Sequence, residues 1–505
     1  MVFPSRGCVT CKTRRIKCDS VHPVCGRCQK ATRTCAWDQN EEAGLLFKDE
    51  NDFARGKPRR PWKSKAQAPP EPDVGVDPVV SPVLSISKND ETLNFWLENY
   101  INRDAEIPEF AREYSYFLVD FLPKVQHDSS LYLAMSAFSH AVFGRVMQSD
   151  KSIEEAERTF ARGVERVQSE IRQASQNNID ELLLATMLMA DYEDVMRNQT
   201  FHSENEDSLT DLDVTGSRIW EDSYYDVTAS LLRQRQHKKW ALNTSLSRAV
   251  RRKLIRVCII RGVSVPEWLR DGSQFGEEDH VLTLDSIMVR VAALRERSLC
   301  LFLPKSARFS SQPHPGDLAT EARAVDAALE SWSAALPEDW KYTTRSVLSM
   351  GFFDGMIYGY TTYGHAAIWC RYYAICMVVN GIRNRALSVM AQCSSQMLSV
   401  APEQDTCLQK IESLATDLCR SIPAFFTATG DPVAAESTRT STTACNSQIT
   451  PKLATLLAWP LLLAVNTDFI PQSQVQWLKS KFKSIADALG DGSLEAVTEQ
   501  GGLKF

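Results

Sequence analysis

The sequence predicts a chain of two unequal parts, a small N-terminal module held by cysteines and a large all-α body. Three observations carry this reading. Six of the fourteen cysteines fall between Cys8 and Cys35. A proline-dense stretch from Ala66 to Val83, AQAPPEPDVGVDPVVSPV, is too poor in large apolar groups to offset its own ordering entropy, and so marks a boundary. Beyond it apolar residues recur at helical spacing, and no convincing run of alternating β-branched residues is found. The expected division is a cluster domain at 1–40, a basic and proline-rich linker at 41–88, a helical domain at 89–490 and a tail at 491–505.

The N-terminal cysteines, Cys8, Cys11, Cys18, Cys25, Cys28 and Cys35, are spaced C-x2-C-x6-C-x6-C-x2-C-x6-C. A C-x2-C pair lets one short turn offer two thiolates to a tetrahedral zinc, and two such pairs suggest two metals. Two tetrahedral ions need eight metal–sulfur bonds, so six cysteines suffice only if two thiolates each bridge both ions. The arithmetic asks for a shared cluster. Between the second and third cysteines, Lys12, Arg14, Arg15 and Lys17 fill four of the six positions. A short helix wrapped on metal would thrust these cations outward, toward the paired acceptors of a major-groove guanine or toward phosphate.

These residues resemble the fungal binuclear zinc cluster transcription regulators over the whole of Cys8 to Cys35. Pro23, two residues before the fourth cysteine, and Asp19, after the third, are also in the family's pattern. The resemblance implies two zinc ions, with Cys8 and Cys25 bridging, Cys11 and Cys18 completing one site and Cys28 and Cys35 the other. It places Arg14 and Arg15 where the family reads a CGG-type triplet, and Lys17 and Arg27 where it touches phosphate. Arg15 stands where the family most often carries lysine, a fixed planar fork in place of a point donor, which bears on the preferred triplet. The implied fold is a small metal-bound N-terminal zinc cluster domain followed by a large all-α regulatory domain.

Other uses of six cysteines fit less well. A disulfide framework belongs to short secreted chains, whereas this one has 505 residues, no secretory signal is expected of it, and eight further cysteines are scattered along it. Those eight form no C-x2-C pair and read as reduced, mostly buried residues. A zinc module that only buffers metal or braces a fold would need no cations between its ligands. Charge is divided along the chain: residues 1–65 hold fifteen Lys/Arg against seven Asp/Glu, and the rest holds 42 against 56. A basic head suits double-stranded DNA, and an acidic body suits proteins or small molecules.

Past the cluster, Arg55, Lys57, Arg59, Arg60, Lys63 and Lys65 crowd eleven residues with two prolines. An extended basic peptide of this kind reads as a nuclear import signal or a phosphate-gripping arm. No heptad is sustained between the cluster and the linker, so pairing of two copies as a homodimer is left open.

The body begins with a helix at Asn89-Asp90-Glu91, with Leu93, Trp96, Leu97, Tyr100 and Ile101 on one stripe. Periodic segments follow at Ser130–Val146, Ile153–Ser175 and Asp180–Val195. The acidic 198–213 segment is read as a loop. At Ser247–Ile260 a helix, with Ser247 as its expected cap and Gly262 past its end, mixes Arg248, Arg251, Arg252, Lys253 and Arg256 with an apolar stripe. The stripe must face a core, so the cations are read as a solvated or salt-bridged face and not a second nucleic-acid surface. This segment, with Asp417–Pro423 and Trp459–Leu463, loosely resembles the helical regulatory domain of one branch of the family, over roughly residues 90 to 490. The aromatic 351–364 and 369–373 stretches are read as helix packing ahead of a pocket for a small inducer.

No HExxH, phosphate-cradling glycine loop or GxSxG elbow is present. The longest apolar run, Leu453 to Val465, is short of the roughly 20 residues a membrane span needs and contains Pro460, so no membrane partner is expected. The sequence reading is a nuclear, nonenzymatic, sequence-specific regulator of RNA polymerase II genes whose body meets the transcription machinery or co-regulators. The rival reading is an enzyme or metabolite-binding helical protein that uses the zinc module as an anchor.

Overall fold

The computed structural model describes residues 8, 10–11, 14, 16, 18–19, 21, 23–36, 88–101, 107–197, 224–240, 244–302, 313–347, 352–393, 397–426 and 449–500. The chain divides into two compact units, Met1–Val83 and Leu84–Phe505. In the first unit the described helix is α1, Gly26–Lys30. Its buried residues are cysteines, namely Cys8, Cys11, Cys25 and Cys28, with Cys18 and Cys35 packed against them. Isoleucine and valine stay outside, since Ile16, Val21 and Val24 are exposed. A module this small cannot build an apolar core, and sulfur takes its place.

The second unit is helical. Its first helices are α2 (Lys88–Tyr100), α3 (Ser130–Val146), α4 (Asp150–Ile171) and α5 (Ile179–Met196). They are followed by α6 (Tyr224–His237), α7 (Ser245–Arg261), α8 (Glu267–Arg270), α9 (Asp279–Phe302) and α10 (Pro315–Ala334). After a hairpin come α11 (Tyr363–Cys393), α12 (Met397–Ser421), α13 (Pro451–Val465), α14 (Gln472–Leu489) and α15 (Gly492–Gln500). Helix α3 packs on α4 and α5, while α11 packs on α10, α12 and α13. No described helix is long and apolar enough to cross a membrane.

Helix α11 is the axis of the body, because residues 364–384 are buried without a break. In a helix covered on every side each unpaired polar group is costly, and its longest polar side chains find partners. Asn380 Nδ2 donates to Asp326 Oδ1 at 2.9 Å, Arg383 pairs with Glu403 at 2.5 Å, and Arg371 donates to Glu113 at 2.9 Å. Helix α13 contains Pro460, which lacks the N–H that would bond the carbonyl four residues back. Five of its leucines, Leu456, Leu457, Leu461, Leu462 and Leu463, are buried all the same. Each contributes about 1.5–3 kcal/mol by leaving water, enough to hold the helix across that missing bond.

Several local expectations change. Helix α7 starts at Ser245 and its cap is Thr244, whose Oγ1 accepts the Ser247 N–H at 3.1 Å, so Ser247 lies inside the first turn. Its end is as expected: Gly262 adopts φ 63°, which any Cβ would strain. The cations of α7 take the salt-bridged of the two expected forms, with Arg251, Arg252 and Arg256 buried and Arg248 and Lys253 half-buried. Arg251 is wholly covered and donates to Asp285 and to the carbonyls of Leu269 and Arg270 at 2.9 Å. Arg252 grips Glu277 with two bonds of 2.7 and 2.6 Å.

A two-stranded antiparallel hairpin, β1 (Thr343–Ser346) and β2 (Met356–Gly359), interrupts the helices. It explains the aromatic 352–373 region. Tyr342 stacks on Tyr358 at 4.1 Å, Trp369 meets Tyr342 edge-on at 5.2 Å, and the Tyr358 hydroxyl donates to Asp417 at 2.6 Å. These rings fasten the hairpin to α11 and α12. The expected 491–505 tail is also corrected, since α15 packs on α5 and buries Leu494 and Val497. Of the eight further cysteines, Cys300, Cys370, Cys376, Cys407 and Cys419 are free and buried, and Cys258 is free and half-buried.

Candidate metal centre and nucleic-acid interface

The six N-terminal sulfurs form two groups of four, Cys8/Cys11/Cys18/Cys25 and Cys8/Cys25/Cys28/Cys35, each with its sulfurs within 4.8 Å of one another. Cys8 and Cys25 belong to both. Their Sγ atoms are 3.7 Å apart, Cys11 and Cys25 are 3.6 Å apart, and Cys8 and Cys28 are 3.8 Å apart. A tetrahedral zinc with Zn–S bonds of about 2.3 Å separates its sulfurs by about 3.8 Å. The donor set therefore fits two zincs in number, type and spacing.

The backbone builds this geometry twice. In each C-x2-C turn the N–H of the second cysteine donates to the sulfur of the first, Cys11 to Cys8 at 3.4 Å and Cys28 to Cys25 at 3.3 Å. Burial opposes ionisation of Cys8 and Cys25, but the amide donors together with hydrogen bonds from the neighbouring cysteines outweigh it and hold both thiols below their ordinary range. Burial pushes Cys28 the other way, up to about 12 in the metal-free protein. The two sulfurs common to both groups are thus held toward the thiolate, the form that binds zinc.

Two polar clamps close the module. Asp19 accepts the Gly26 N–H at 2.9 Å and the Val21 N–H at 3.4 Å, which seats a carboxylate on the first turn of α1. A Cβ on Gly26 would lie 2.6 Å from Asp19 Oδ2, so a side chain there would push the carboxylate off its amide donors. Thr10 Oγ1 donates to the Thr34 carbonyl at 2.9 Å and accepts the Ala36 N–H at 3.3 Å, tying the first cysteine turn to the last. Sequence reading noted Asp19 without finding its task, and missed Gly26 and Thr10. The signal for one of them was a glycine immediately after a ligand cysteine.

Of the expected DNA-contact residues, Arg14 and Arg27 are exposed, Arg14 beyond the first cysteine turn and Arg27 on α1. Both residues lie exposed in a module whose core is buried sulfur. Lys12, Arg15 and Lys17 lie outside the described residues, as do the import-candidate residues Arg55, Lys57, Arg59, Arg60, Lys63 and Lys65 and the acidic 198–213 segment.

Residues 6–43 match the family described as the fungal Zn(2)-Cys(6) binuclear cluster domain. An uncharacterized transcriptional regulatory protein of Schizosaccharomyces pombe is 58% identical over 33 residues, 6% of each chain. The adhesion and hyphal regulator 1 of Candida albicans is 62% identical over 29 residues, 6% of this chain and 5% of its own. The sorbicillinoid biosynthetic cluster transcription factor sor3 of Hypocrea jecorina is 32% identical over 65 residues, 13% of this chain and 8% of its own. The likeness thus spans 8% or less of the length of these relatives. No solved structure matches the chain.

Proposed function

Residues 6–43 being a fungal Zn(2)-Cys(6) binuclear cluster domain, which binds two zinc ions, we propose that the chain is a sequence-specific DNA-binding transcription regulator. The observation that carries this reading is the pair of four-sulfur groups sharing Cys8 and Cys25, with exposed Arg14 and Arg27 beside them. In it Cys8 and Cys25 bridge the ions, Cys11 and Cys18 complete one site, and Cys28 and Cys35 complete the other. The metal contributes folding free energy and fixes the turns. The protein's own residues do the reading. Arg14 and Arg15 address base edges of a CGG-type triplet, where a planar guanidinium can donate to guanine O6 and N7 together, and Lys17, Lys12 and Arg27 address phosphate.

The relatives' names support regulation of transcription as the outcome, and the basic 55–65 peptide supports import into the nucleus. The helical body is then the part that meets the transcription machinery or co-regulators. The test is the double variant Arg14→Ala/Arg15→Ala in the full chain. It should keep two zincs by metal analysis and lose at least about tenfold in DNA affinity, since each good base contact is worth about 1–3 kcal/mol. Unchanged retention on DNA would remove the reading.

A further inference from the structure

The six cluster sulfurs are unequally covered. Cys8, Cys11, Cys25 and Cys28 are 1% exposed or less, whereas Cys18 and Cys35 are half-buried. Each group of four therefore has one cysteine near the surface, Cys18 in the first and Cys35 in the second. The sulfurs differ also in how many groups they serve. Cys8 and Cys25 belong to both, and Cys11, Cys18, Cys28 and Cys35 belong to one each.

A cysteine that binds zinc is a thiolate, the nucleophilic form, so access decides which of the six reacts first. A thiolate shared between two ions has less electron density to give, and a covered one is shielded from a dissolved oxidant. Cys18 and Cys35 are neither shared nor fully covered. Each also has an unshared neighbour in its own group: Cys11 lies within 4.8 Å of Cys18, and Cys28 within 4.8 Å of Cys35. A disulfide drawn from such a pair takes two ligands from one ion and leaves Cys8 and Cys25 to the other.

We propose that Cys18 and Cys35 are the sites at which a peroxide oxidises the cluster, closing the disulfides Cys11–Cys18 and Cys28–Cys35 and so coupling DNA binding to redox state. The inference rests on the cluster reading above, in which Cys8 and Cys25 bridge. In the first step the Cys18 thiolate attacks one peroxide oxygen, the O–O bond breaks, hydroxide leaves, and the sulfur becomes a sulfenic acid. In the second the Cys11 thiolate attacks that sulfur, the S–O bond breaks, and a second hydroxide leaves. Two thiolates have given two electrons to one peroxide, and both hydroxides take protons from solvent to become water. A site with two of its four ligands gone no longer holds its ion. Cys35 and Cys28 follow the same course. Cys11 and Cys18 bracket Lys12, Arg14, Arg15 and Lys17, so their disulfide detaches the cation-bearing segment from its metal.

The experiment takes the full chain with two zincs bound and adds hydrogen peroxide in steps. Released zinc is followed with a chromogenic chelator, remaining thiols are capped with N-ethylmaleimide, and linked peptides are mapped by mass spectrometry. One zinc should leave for each disulfide formed among the six cysteines. The first links should be Cys11–Cys18 and Cys28–Cys35, with Cys8 and Cys25 carrying the maleimide. Cys18 and Cys35 should be consumed at least about tenfold faster than the buried Cys370, Cys376 and Cys419 of the body. A thiol reductant supplied with zinc should restore the metal content. First disulfides that contain Cys8 or Cys25, a Cys11–Cys28 link across the two groups, or oxidation that releases no zinc would overturn the proposal while leaving the cluster reading intact. Fewer than two zincs per chain before peroxide is added would overturn the cluster reading, and the proposal with it.

Discussion

At the scale of single residues, the body's charges fall into two kinds. Glu113 is of the first kind. Burial alone would push its carboxyl up, but the guanidinium groups of Arg256 and Arg371 outweigh burial and hold it below its ordinary range. Asp194 is of the second kind, raised by burial and by the neighbouring Asp491 and Asp191. The linkage has opposite sign in the two. A depressed acid stabilises the fold above its unfolded pKa, whereas a raised acid destabilises the fold as pH climbs from its ordinary 3.8 through about 7. Asp194→Asn, which cannot ionise, should therefore leave stability unchanged near pH 4 and raise it near pH 8, by about 1–3 kcal/mol. Urea unfolding of both chains at the two pH values measures this. An equal loss at both would show that Asp194 is an ordinary structural acid.

At the scale of elements, the sequence was most readable where a helix has one wet face or is plainly apolar. Ser130–Val146 is found at its expected bounds because Ser129 caps it and its apolar residues run on to the end. The hairpin was not readable. Strands of four residues carry too few alternations to register, and β1, exposed at every position, has no apolar face at all. The basic helix α7 was readable as a helix with a core-facing stripe and a solvated or salt-bridged face, but the partners of its cations were not readable. Its cations are covered because Glu113, Glu277 and Asp285 reach them from distant segments, and separation along the chain hides such partners. Helix α1 gives the clearest element-scale prediction. Asp19 is the acceptor on its first turn, so Asp19→Ala should cost about 1 kcal/mol of cap and weaken zinc retention in a chelator competition by about fivefold. Retention equal to that of the unaltered chain would mean that the sulfurs alone set the turn.

At the scale of the whole molecule, the metal centre was legible and a cavity of about 190 Å³ within the body was not, for one physical reason. The six cysteines lie within 28 residues at intervals that metal geometry dictates, so local spacing encodes the site. The cavity joins Glu113, Asp191, Lys253, Arg371 and Asp491, which only the packed helices bring together. The aromatic 351–364 and 369–373 stretches were read as packing ahead of a pocket, and of the described residues there only Arg371 reaches the cavity wall. The division of charge was plain from composition, with cations concentrated in the first 65 residues and acids in the remainder. Under the proposed function it assigns DNA to the basic head.

The most direct test of the central claim, that two zincs locked by shared sulfurs aim cations at a specific duplex sequence, is selection from a random pool of DNA duplexes by the fully metallated chain. The account predicts enrichment of a GC-rich triplet of the CGG type. A pool that stays random after repeated rounds, with two zincs bound per chain, would contradict it.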